Sequence, residues 1–143
     1  MPTEDYFSSA LRHYEDSRRL GRRLAAARSE NAAYLGGYVI ECGLKRVLEL
    51  HGHSARSYGH NLKVMHGKAL ALASLLAPGV LRYRIDGIPG IVEACAKWRP
   101  EMRYWKTGTL TTDQFESLEK ARDEIFQRVL VPLILDGREA RVT

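Results

Sequence analysis

The sequence predicts an all-α fold, an up-and-down bundle of four or five helices. Three observations predict it. Apolar residues recur at three- and four-residue steps over several separate stretches, and Gly, Pro and short polar clusters interrupt those stretches. Strand-like alternation occurs only through Leu81, Tyr83 and Ile85, with no second strand pattern nearby to pair with it. The 143 residues, 45% of them apolar, suit one domain spanning 1–143 with a core of its own and a short flexible tail from about residue 137.

The first helix gathers Phe7, Ala10, Leu11, Tyr14, Ser17, Gly21, Leu24 and Ala25 on one face, with Thr3 as the expected N-cap and Glu4 and Asp5 suited to the positive helix end. A second helix runs from about Ser29 to about Leu50, with Ala33, Gly37, Ile40, Leu44, Val47 and Leu48 as its stripe. Gly36 and Gly37 in mid-helix each cost about 1 kcal/mol against Ala, which points to close backbone approach, within the bundle or across a dimer. The segment from Gly52 to Asn61 reads as a loop. A third helix follows through Leu62, Met65, Ala69, Leu72 and Leu76 and stops at Pro78-Gly79. Residues 80–111 are read as an extended loop or a packed short helix, with another short helix over Ile91 to Trp98. Thr111-x-x-Gln114 fits a capping box and opens the last helix, whose face is Phe115, Leu118, Ala121, Ile125, Val129 and Leu133 and which Pro132 bends or ends.

Composition excludes several classes. Two cysteines, Cys42 and Cys95, make neither a disulfide framework nor a metal site, and the longest apolar run (Ala69–Ala77, broken by Ser74) is too short to span a bilayer. The N-terminal residues show no secretory pattern, so a reduced, cytoplasmic protein is expected. The net charge is +5, carried by sixteen Arg and six Lys against 17 acids. Arg predominance favours planar, bidentate contacts to phosphate. Residues 82–106 hold six basic side chains, three acidic ones and four aromatics.

Three pieces of the chain resemble the HEPN domain family. They are Ala32-Ala33-Tyr34-Leu35-Gly36-Gly37-Tyr38-Val39-Ile40-Glu41-Cys42-Gly43-Leu44-Lys45, with its Glu-x-x-Leu-Lys core; Gly59-His60-Asn61-Leu62; and Trp98-x-x-Glu101-x-Arg103-Tyr104. They follow one another in the family's order between residues 32 and 104, and the resemblance extends over residues 6 to 135. The resemblance implies a small helical domain that dimerises, binds nucleotides or RNA, and works beside a nucleotidyltransferase-type partner protein or in toxin–antitoxin and defence systems. Within it, Glu41, Lys45 and His60 are signature structural positions. Ribonuclease members carry Arg, four to six residues, then His near the start of the last long helix. Here Arg99 and Arg103 stand in that region but no histidine follows His66. A domain that binds rather than cleaves efficiently is therefore expected.

Four constellations could carry chemistry. Arg46 and His51 have the Arg-x4-His spacing and the residue types for metal-independent RNA cleavage, a base or acid plus a cation, but equally complement the end of the second helix. Glu41 and Lys45 form either a functional pair or an i,i+4 ion pair. His51, His53, His60 and His66 lack the carboxylate or thiolate neighbours of a zinc site, so neither metal nor cofactor is expected, and His60 is read as anchoring the third helix. The nucleotide- or nucleic-acid-binding surface is placed on Arg82, Arg84, Lys97, Trp98, Arg99, Arg103, Tyr104 and Lys106, where rings stack on bases and cations meet phosphates. The competing reading puts Trp98 and Tyr104 in the core. A pure protein-interaction module built on Gly36-Gly37 is the remaining alternative.

Overall fold

The computed structural model describes residues 4–23, 30–75, 83, 85–104 and 109–139, and the elements there are helical, with no strand among them. They are α1 (Tyr6–Arg23), α2 (Glu30–Leu50), α3 (Leu62–Leu75), α4 (Ile91–Lys97), α5 (Thr112–Ile125) and α6 (Val131–Leu135). Short 3-10 turns occupy Ala55–Tyr58 and Pro100–Tyr104. The fold is all-α, as the periodicity predicts.

At the start of α1, Asp5 does the capping: its carboxylate accepts from the Ser8 backbone N–H at 2.9 Å and the Ser8 hydroxyl at 2.7 Å. The expected cap, Thr3, lies outside the described residues. The buried face of α1 is Phe7, Ala10, Leu11, Tyr14 and Ser17, the predicted stripe as far as described side chains extend.

The bundle is organised around α2, which packs against α1, α3 and α5. Fourteen of its 21 residues are buried, so neighbours surround it instead of covering one face. The glycines make this possible. A Cβ on Gly37 would fall 1.9 Å from Trp98 Nε1, and one on Gly43 would fall 2.5 Å from Ile125 Cγ2. The Gly36-Gly37 pair thus serves packing inside the bundle, and the exposed-interface reading of it is withdrawn. Gly52, with φ +79°, ends α2, since Gly52 N–H and His53 N–H return to the carbonyls of Glu49 and Leu48.

Between α3 and α4 the described residues, 83 and 85–90, lie in irregular chain that buries Tyr83, Ile85 and Ile88 in the core, and Leu81, Arg82 and Arg84 of the strand-like pattern lie outside the described residues. The Thr111–Gln114 capping box is present in full, with reciprocal bonds of 3.2 and 2.8 Å. Between α5 and α6 the backbone stays helical through a π-helical turn (Phe126–Leu130). Pro132, which has no N–H to donate, stands two residues past that turn; the wider turn lets the helix pass it and continue to Leu135. The chain beyond 137 is not released at once, because Glu139 is bonded back to Arg46 of α2.

Candidate functional site

Glu41 and Lys45 lie one turn apart on α2 and are 4% and 6% exposed. Two charges so far from water are tolerated only when paired and hydrogen-bonded. Lys45 Nζ stands 3.6 Å from Glu41 Oε2 and 5.2 Å from the centre of the Tyr6 ring. The other carboxylate oxygen, Oε1, is 2.6 Å from Nδ1 of His60, a residue of the loop that leads into α3. Because a carboxylate only accepts, this contact places a hydrogen on Nδ1. The His60 side chain is 56% exposed. A buried ion pair therefore reaches the surface through one imidazole ring.

Around that ring the walls are aromatic. Tyr38 stands edge-on to His60, 6.3 Å away, and accepts a 2.9 Å hydrogen bond from the Tyr34 hydroxyl. Burial, with that bond and neighbouring charges, pushes the Tyr38 phenol well above its usual range, so it stays protonated. Trp98 packs edge-on against Tyr38 and donates Nε1–H to the Tyr34 carbonyl at 3.1 Å.

His60 opens onto a cleft of about 480 Å³ between two pieces of chain, Tyr58–Lys63 on one side and Cys95–Glu101 on the other. Lys63 and Arg99 face it from opposite walls, and Asn61 and Tyr58 add polar groups. Asn61 Oδ1 already caps α3 by accepting from the Val64 N–H at 3.1 Å, leaving its amide hydrogens for other partners. Glu101 also lines the cleft, so its charge is two cations against one carboxylate. That is enough for one phosphate group and too little for a track along a polyanion. Cys95 is part of the lining, but burial pushes its thiol up to about 12, and burial does the same to Cys42. Neither is a thiolate nucleophile at neutral pH. Among the described residues no group of three or more His, Cys, Asp or Glu side chains could hold a metal. Nor, among them, is any helix long and apolar enough to cross a membrane.

No family model matches the sequence. Neither does any curated protein or any solved structure. The site is therefore read from its own geometry.

Of the basic-aromatic surface expected from sequence, Arg99 reaches the cleft, while Lys97, Arg103 and Tyr104 are exposed on the same α4 to 3-10 segment. Arg103 stacks over the Tyr104 ring at 5.3 Å, and Tyr104 is 81% exposed. Trp98 is a correction. At 1% exposure, sealed over Gly37, it is a core residue with no ring face for a base. Arg82, Arg84 and Lys106 lie outside the described residues.

The structure gives Arg46 and His51 separate surroundings. Arg46 is bonded to Glu139 at 2.6 Å and lies 3.5 Å from Glu49, so carboxylates already neutralise it. His51 is held toward its neutral form, first by burial and then by His53. Sequence reasoning missed Lys63 and Asn61 as cleft residues, although both stand beside His60 in the turn that opens α3.

Proposed function

We propose that this chain is a HEPN-like domain that binds a nucleotide, or the end of an RNA chain, in the cleft beside His60. Its phosphate sits between Lys63 and Arg99, and its remaining polar groups meet His60 and Asn61. The observation that carries this reading is a cleft of small-ligand size whose opposite walls each hold a cation, next to an imidazole held by a buried carboxylate. The volume of about 480 Å³ falls within the range of small-molecule sites, roughly 300–1,000 Å³. The three-piece HEPN resemblance supports the same ligand class from the sequence side. Arg103 and Tyr104, exposed on the adjoining turn, suit the next base or phosphate of a longer ligand.

Calorimetric titration with a short RNA and with adenosine 3′-monophosphate tests the reading, at about 50 mM and about 300 mM salt. Binding is expected at low salt, weaker at high salt, and reduced roughly tenfold by either Lys63→Ala or Arg99→Ala. No binding of either ligand at low salt overturns it.

A further inference from the structure

The contact between Glu41 and His60 carries an implication about which ligands the cleft accepts, one that rests on the nucleotide-binding reading above. Lys63 and Arg99 are donors only, and a phosphate would satisfy both. His60 differs from them. Glu41 Oε1 fixes the hydrogen on Nδ1 at 2.6 Å, and Glu41 cannot swing away, because it is buried and paired with Lys45 at 3.6 Å. With the ring in its neutral form, Nδ1 holding the hydrogen leaves the second nitrogen, Nε2, as an acceptor at the edge of a cleft otherwise furnished with cationic donors. A bare anion placed there would face a lone pair. A ligand carrying an O–H on the carbon next to its phosphate-bearing carbon would satisfy donors and acceptor together.

We propose that His60 is a specificity-determining residue that accepts a hydrogen bond from the ribose 2′-hydroxyl, so that the cleft selects ribonucleotides over deoxyribonucleotides. Glu41 acts through His60 as a positioning residue, and Lys45 balances the charge of Glu41. Vicinal placement of hydroxyl and phosphate occurs in a ribonucleoside 3′-phosphate and at the corresponding end of RNA. The 2′-deoxy analogue keeps the phosphate and base but lacks the vicinal hydroxyl that would meet Nε2.

The test compares adenosine 3′-monophosphate with 2′-deoxyadenosine 3′-monophosphate on the parent chain, His60→Ala and Glu41→Gln. The parent should prefer the ribo ligand roughly fivefold to tenfold, the worth of one hydrogen bond made in a partly wetted site. His60→Ala should bring the ratio to about one, with ribo binding falling to the level of the deoxy ligand. Glu41→Gln should lower the ratio in the same direction, because an amide no longer dictates which ring nitrogen holds the hydrogen. Equal binding of both ligands by the parent overturns ribose selection and leaves the nucleotide reading standing. A preference that survives in His60→Ala overturns the assignment to His60. Failure of both ligands to bind the parent removes the nucleotide reading itself.

Discussion

Two buried polar networks sit in this bundle, and they end differently. In one, Arg122 of α5 is 7% exposed; its Nη1 donates to Ser17 Oγ at 3.0 Å, and that hydroxyl donates to the Ala32 carbonyl at 2.6 Å. Arg122 Nε is bonded to Asp123, the next residue along, and the guanidinium lies 6.0 Å from the Tyr14 ring. Every contact closes within α1, α2 and α5, and the one end that reaches water, the half-exposed Asp123, does not line the cleft. The other network, Lys45–Glu41–His60, begins equally deep but finishes on a half-exposed imidazole beside a cleft. The first ties helices together. The second spends a buried ion pair on orienting one surface group, which a purely structural contact would not need. Buried charge alone therefore does not single out a candidate site; the cleft beside its last hydrogen bond does.

Substitutions at matched depth test that distinction, and the largest effect is expected in the second network. Lys45→Met leaves Glu41 buried beside an apolar side chain and should cost about 3–5 kcal/mol in urea unfolding. Arg122→Met should cost less, about 2 kcal/mol, because Ser17 keeps the Ala32 carbonyl and Asp123 is about half-exposed to water. A larger loss for Arg122→Met would reverse the comparison. Between these falls Gly37→Ala. It gains helix propensity but drives a methyl into Trp98, and a net loss of about 2–3 kcal/mol is expected, read from the same unfolding curves. His60→Ala takes the hydrogen bond from the buried Glu41 Oε1 and should cost about 1–2 kcal/mol in urea unfolding, less than Lys45→Met, while abolishing ribose preference.

The parts of this arrangement differ in how legible they were in the sequence. Local signals were read directly. The α1 stripe, the Thr111–Gln114 box and the helical spacing of Glu41 and Lys45 each depend on neighbours within one turn. The meaning of Gly36-Gly37 was read halfway: close approach was evident, but its cause, Trp98, lies 61 positions beyond Gly37. The junction of Glu41 with His60 was not legible, because 19 residues and a loop separate them and no periodicity relates their positions. For the same reason Trp98 could be placed on a binding surface, since an aromatic between Lys97 and Arg99 reads equally as anchor or platform. The burial of Tyr83 and Ile85 is likewise a tertiary fact. The cleft, made from two chain segments brought together by α3 and α4, belongs wholly to this class.

The smallest effect expected concerns His13, which lies one turn before Ser17 on α1 and stacks on Tyr38, 5.3 Å between ring centres. It thus stands between the two networks. Its Nδ1 is buried with no hydrogen-bond partner among the described residues. Burial is the main force holding the imidazole below its ordinary value, Arg12 adds to it, and Asp16 opposes. The folded protein therefore binds fewer protons at this ring than the unfolded chain does as pH drops through about 6.5, so acid withdraws stability there. His13→Phe keeps a flat ring against Tyr38 and removes both the unsatisfied nitrogen and the titration. It should raise stability by about 1 kcal/mol near neutral pH. The gain should be larger at about pH 5.5 than at about pH 7.5, measured as the shift in urea midpoint between parent and variant. A gain that shrinks on acidification would mean that His13 takes a proton more readily when folded. The pull of Asp16 would then outweigh burial at this ring.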